Sequence, residues 1–176
     1  MTTSEYLDKG ISEQELNSTV SVLRIVEGTS VDGVGLRTSI YFAGCSHQCK
    51  GCHNPQSWDK ANGTAMTFRE ILDVIEENCF NVTFSGGDPF FQVDEVTRLA
   101  KAIKQAFGKT IWCYTGYRLE EIQDNDRLSQ LLPYIDVLVD GRFELDLRDT
   151  ELHFRGSSNQ RIIYLKGGKM VNCPET

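Results

Sequence analysis

The chain has no excess of positive charge: 18 Lys and Arg stand against 25 Asp and Glu, a net charge of −7 over 176 residues. A nucleic-acid-binding domain would show a basic stripe, so that class is excluded. Long apolar runs are missing too, and with them any candidate for a membrane span, which needs about 20 consecutive apolar residues. The opening stretch Met1-Thr-Thr-Ser-Glu-Tyr-Leu-Asp-Lys-Gly10 lacks the basic start and apolar centre of a secretory signal. A cytoplasmic setting is therefore expected, in which cysteines are reduced thiols or metal ligands and not disulfides. Nothing in the composition points to disorder. At 40% hydrophobic, 24% charged and 10% aromatic residues, the chain is long enough for one domain with a full core.

The most informative shortage is of cysteine pairs. Of six cysteines, three fall in Cys45-Ser-His-Gln-Cys49-Lys-Gly-Cys52, and Cys79, Cys113 and Cys173 stand alone. The isolated ones lack ligand spacing and are read as structural or incidental, Cys113 as a small buried hydrophobe in a strand. Structural zinc usually draws on two separated pairs, whereas this chain offers one triplet, with His47 or His53 as the fourth ligand of a Cys3His alternative. A ferredoxin-like electron carrier would need four cysteine thiolates for its cluster. Three thiolates leave one iron of a four-iron cluster without a protein ligand and open to a small molecule.

The order of elements says where that triplet sits. Residues 1–19 are polar and read as an N-terminal arm, with Leu7, Ile11 and Leu16 as its anchors. The remaining 20–176 form one domain. Strands are expected at Val20–Val26, Arg37–Phe42, Asn81–Ser85, Thr110–Tyr114, Ile135–Val139 and Arg161–Leu165 from their β-branched and aromatic content. Thr67 and Glu70 form a capping box that opens a helix, whose Phe68, Ile71, Leu72 and Ile75 share one face. Asp94 is expected to cap a second helix, closed by Gly108. A broken helical segment covers Leu119 to Leu132 and stops at Pro133. Alternating strands and helices imply right-handed crossovers and parallel pairing. The chain is too short for a complete eight-fold barrel of about 250 residues. The expected fold class is α/β, an incomplete, open (β/α) barrel of five to six mainly parallel strands. The cysteine loop, Gly86-Gly87, Thr115-Gly116 and Asp140-Gly141 follow successive strands, so they should gather at one edge of the sheet.

Gly86-Gly87-Asp88-Pro89 allows two readings. Paired glycines let the backbone approach a ligand closely, and the same four residues make a tight turn between strand and helix.

The spacing C-x3-C-x2-C resembles that of the radical S-adenosyl-L-methionine (AdoMet) superfamily. Within it, the chain is most similar to the subgroup that activates anaerobic ribonucleotide reductase. That resemblance spans roughly Thr19 to Leu165. It rests on Val31-Asp-Gly-Val-Gly-Leu-Arg37, the cysteine loop with Gly51, Asn54 and Trp58, Ser85-Gly-Gly-Asp-Pro89, Trp112-Cys-Tyr-Thr-Gly-Tyr117, Val139-Asp-Gly-Arg-Phe143 and Phe154-Arg-Gly-Ser-Ser-Asn-Gln160. It implies a 4Fe-4S cluster held by Cys45, Cys49 and Cys52, with AdoMet near Gly51, Cys52, His53, Gly86, Gly87 and Asp88. It implies hydrogen abstraction from a glycine of the large glycyl-radical subunit of the reductase. A flavodoxin or ferredoxin is the implied electron donor. His53-Asn54-Pro55 also looks like the activases of pyruvate formate-lyase, which keeps another glycyl-radical partner open.

Overall fold

The computed structural model describes residues 1–173. Its elements are α1 (Thr3–Asp8), α2 (Glu13–Leu16), β1 (Thr19–Thr29), β2 (Arg37–Phe42), β3 (Thr64–Thr67), α3 (Phe68–Asn78), β4 (Asn81–Gly86), α4 (Val93–Phe107), β5 (Ile111–Tyr114), α5 (Leu119–Gln123), β6 (Val137–Asp140), β7 (Arg161–Lys166) and β8 (Lys169–Val171). They form one open eight-stranded sheet in the order β3-β1-β2-β4-β5-β6-β7-β8. Only β2, β4, β5 and β6 run parallel to one another, and the flanking pairs are antiparallel. The expectation of five or six mainly parallel strands is corrected on both counts, because the sheet is mixed and has eight. The physical reason lies in the connections. Residues 30–36 join β1 to β2, and a parallel crossover needs a dozen residues or more. Residues 141–160 would be long enough, but they form no helix to recross the sheet.

Successive residues of each central strand face opposite sides, and the two sides differ. Ile111, Cys113, Leu138, Val82 and Phe84 join a core with α3 and α4, whose Ile71, Leu72, Ile75, Leu99 and Ile103 are fully buried. Trp112, Val137 and Val139 form a smaller cluster on the opposite side. The Thr67–Glu70 capping box is present, with the Glu70 amide donating to Thr67 Oγ1 at 3.2 Å. Gly108 closes α4 in a left-handed conformation, φ 64°. Its start is corrected: the helix begins at Val93 with Gln92 as the cap residue, and Asp94 lies inside the first turn. Gln92 is needed elsewhere. Its buried side chain accepts from the Ser21 amide at 2.9 Å and donates to the Ser21 and Ala43 carbonyls, both at 2.9 Å, tying β1 to the exit of β2.

The first nineteen residues pack on the main core. Ile11 and Leu16 are buried as expected, but the third anchor is Tyr6, and Leu7 is 47% exposed. Tyr6 donates its hydroxyl to Asp73 at 3.1 Å and lies under the Arg69 guanidinium. Tyr6→Ala is expected to lower stability by about 3 kcal/mol, the scale of emptying a buried aromatic site. Urea denaturation checks this, and a change under about 0.5 kcal/mol, the range of ordinary surface substitutions, would contradict the packing role.

Arg37, from the Val31–Arg37 segment, is an internal brace. It is 1% exposed and has carbonyl and hydroxyl partners: Val82 O at 2.6 Å, Thr110 O and Val34 O at 3.1 Å, and Thr83 Oγ1 at 2.7 Å. Burial pushes its pKa down to about 10, which still leaves it charged at neutral pH.

Candidate functional site

Because β2, β4, β5 and β6 are parallel, their C-terminal ends share one edge, and the loops leaving them enclose a cleft of about 630 Å³. Cys45, Cys49 and Cys52 line it from the β2 exit, Gly86 and Gly87 from β4, Thr115 and Gly116 from β5, and Gly141 from β6. The gathering of strand ends expected from the sequence is what the structure shows.

The cysteine loop is anchored at its root by backbone. Gly44 N donates to Ser57 O at 2.7 Å and Cys45 N to Trp58 O at 3.1 Å, so residues 54–58 brace its entry. Gly87 is set by this backbone and needs no ligand to explain it. A Cβ there would lie 2.3 Å from Gly44 O and 2.9 Å from Ser57 O, neither of which can yield. Gly87→Ala is therefore expected to displace the loop and lower iron loading as well as any ligand binding. Full iron content in that variant would contradict it.

Asp88 is engaged inside the protein. It is 2% exposed and accepts from Phe90 N at 2.9 Å, Thr115 Oγ1 at 2.9 Å and Gly116 N at 2.9 Å. His47 Nε2 lies 2.8 Å from its Oδ2, beside the carboxylate and not in line for a hydrogen bond. The imidazole is wedged against Gly116, where a Cβ would meet it at 2.4 Å, and stands edge-on to Tyr117 at 4.5 Å. Asp88 thus ties the β4 turn, the β5 exit and the middle of the cysteine loop together. Asp88 also lines the cleft, so the joining role stands beside the expected place near AdoMet. Sequence reasoning considered His47 only as a metal ligand and missed this pairing, which joins residues 41 positions apart and leaves no local pattern.

Gly51 lies outside the cleft lining and faces Leu145, whose Cδ1 would sit 2.8 Å from a Cβ. His53 is exposed and rests against the Phe143 ring at 4.9 Å, at the margin of the cleft.

Burial pushes the Cys45 and Cys49 thiols up, while backbone N–H groups of His47 and Gln48 at Cys45, and of Phe143 at Cys49, pull the other way. The Asn54 amide donates to Cys52 Sγ at 3.4 Å. Thiols held up in this way stay protonated at neutral pH until a metal replaces the proton. Among the described residues, no three His, Cys, Asp or Glu side chains converge tightly enough to hold a single ion. Three thiols spread along one cleft suit a multi-iron group, in which each sulfur binds its own iron. Trp58 Nε1, the Tyr114 hydroxyl and Arg155 Nε are buried without a partner, and their residues line the same cleft. Unpartnered buried donors cost about 1–3 kcal/mol each, so these three polar atoms are held at a cost to stability.

Residues 31–163 match the family model described as "4Fe-4S single cluster domain", which places the chain among single-cluster iron–sulfur domains. A Vibrio cholerae protein is 39% identical over 142 residues, covering 75% of this chain and 90% of its own length. A Haemophilus influenzae protein is 36% identical over 146 residues, with the same coverage. One from Enterobacteria phage T4 is 35% identical over 146 residues, 79% of this chain and 90% of its own. All three are named anaerobic ribonucleoside-triphosphate reductase-activating protein. The chain belongs to that family of activating proteins.

Proposed function

We propose that this protein is a radical AdoMet activase that places a glycyl radical on anaerobic ribonucleoside-triphosphate reductase. The observation that carries it is the convergence of Cys45, Cys49 and Cys52 with Gly86-Gly87 on one cleft. The three thiolates are the ligands of the 4Fe-4S cluster. Held there, such a cluster would supply the one-electron reduction that cleaves the AdoMet sulfonium.

The protein's own residues do the rest. The Gly86-Gly87 backbone offers carbonyls to the methionine ammonium, and Asp88 with His47 keeps that turn in register with the cysteine loop. The open cleft admits a glycine-bearing loop of the partner, whose missing side chain allows the approach that hydrogen transfer requires. The partner's loop also completes the exclusion of water. The shared name of the relatives favours the reductase over pyruvate formate-lyase. A flavodoxin or ferredoxin in a reducing cytoplasm is the expected electron source. Among the described residues, no helix is long and apolar enough to cross a membrane.

The test is anaerobic reconstitution with iron and sulfide, then reduction in the presence of AdoMet and chromatography of the products. A brown protein that forms 5′-deoxyadenosine and methionine is the expected result. A colourless protein, or one that leaves AdoMet intact, would overturn the reading.

A further inference from the structure

The Phe154–Gln160 segment is the most distinctive motif of the chain, and its polar side chains are spent on one neighbour. Gln160 closes the turn on itself, its Oε1 accepting from Gly156 N at 2.9 Å and Ser157 N at 3.2 Å. Its Nε2 then donates to Gly141 O at 3.0 Å. Asn159 Nδ2 donates to Arg142 O at 2.8 Å and to Glu144 Oε1 at 2.9 Å. The fully buried Ser157 accepts from Glu144 N at 3.2 Å, and Ser158 N donates to Leu147 O at 2.9 Å. Apart from the two that close the turn, these bonds all pin the strap Gly141–Leu147.

The strap in turn lies on the cysteine loop. Leu145 covers Gly51, whose φ of +75° and close contact leave no room for a side chain. Phe143 packs on His53 at 4.9 Å, and the Phe143 amide faces the Cys49 sulfur. Gly156, from the turn itself, completes the stack, where a Cβ would meet Phe143 at 3.1 Å and His53 at 3.3 Å.

We propose that Asn159, Ser157 and Gln160 are positioning residues that hold this strap over the Cys49–His53 side of the loop, so that it covers and orients the cluster's protein ligands. The inference rests on the cluster reading above and adds a role for Ser157 and Asn159, which lie outside the cleft lining, and for Gln160, which borders it. A strap held down limits solvent access and fixes an N–H near a ligand sulfur, two of the factors that set a cluster's reduction potential.

The experiment uses the reconstituted holoprotein under anaerobic conditions. Iron release to an excess of chelator is timed in the wild type and in Asn159→Ala, Leu145→Ala and Leu145→Met. The reduced cluster's electron paramagnetic resonance spectrum and its potential are recorded for each. Asn159→Ala and Leu145→Ala should release iron about tenfold faster, on the scale of losing an outer partner of a metal ligand, with an altered spectrum. Leu145→Met should restore wild-type behaviour, and the apo-proteins should unfold at the same urea concentration. Leu145 is 39% exposed, so its variants fold even where Asn159→Ala does not. Wild-type release rates and spectra in a folded Leu145→Ala would overturn the inference while leaving the cluster reading intact. A wild type that takes up no iron would instead sink the cluster reading, and this inference with it.

Discussion

Cys45→Ala, Cys49→Ala and Cys52→Ala are each expected to lose the cluster and all 5′-deoxyadenosine formation, while Cys79→Ala and Cys113→Ala keep their iron. A protein-held cluster draws on thiolates one iron at a time, so removing one of three leaves two irons without protein ligands. Cys79 and Cys113 lie away from the cleft lining. Cys79 is exposed at the end of α3, where its thiol faces the Glu76 carbonyl, and Cys113 is fully buried among aliphatic side chains on the helical face of β5. Burial pushes the Cys113 thiol well up, as suits an inert neutral group. Iron and sulfide quantitation across the five variants, with circular dichroism to confirm folding, decides the matter. Retention of the intact cluster in any of the first three, or its loss from folded Cys79→Ala, would contradict the ligand assignment.

The second large effect is expected at Asp88. Asp88→Ala removes the acceptor shared by Phe90 N, Thr115 Oγ1 and Gly116 N, and takes the carboxylate from beside His47. Breaking a buried charged contact by deleting one partner costs about 3–5 kcal/mol, because the groups left behind have neither water nor protein to satisfy them. Asp88→Asn keeps the size but turns an N–H toward donors, so it recovers only part of the loss. Urea denaturation of the apo-protein should show the stability difference, and iron loading should fall with it, since the middle of the cysteine loop is released. A variant as stable as the wild type and fully loaded with iron would show that Asp88 ties nothing together.

Much of this could be read from residues alone. The four parallel strands are short β-branched and aromatic runs, each followed by a glycine-bearing turn, and their shared edge follows from being parallel. The capping box at Thr67 was legible because its two residues are three apart. What escaped has identifiable reasons. Thr64–Thr67 and Lys169–Val171 are edge strands of four and three residues that bury little, so no alternation marks them. The reversed direction of β1 and β7 is written in the lengths and contents of the connections, and strand composition does not carry it. Tyr6 outcompetes Leu7 as an anchor because its hydroxyl finds Asp73 and its ring finds Arg69. Asp88 and Gly51 also meet long-range neighbours, His47 and Leu145, which no local sequence pattern announces.

The most direct measurement of the central claim is made on the partner. The reduced, cluster-loaded protein is incubated with AdoMet and the anaerobic reductase, and the electron paramagnetic resonance spectrum is recorded. The account predicts a glycyl doublet that grows with 5′-deoxyadenosine and vanishes when the acceptor glycine of the reductase is changed to alanine. A reductase that gains no radical, while a small metabolite alone supports stoichiometric 5′-deoxyadenosine formation, would contradict it.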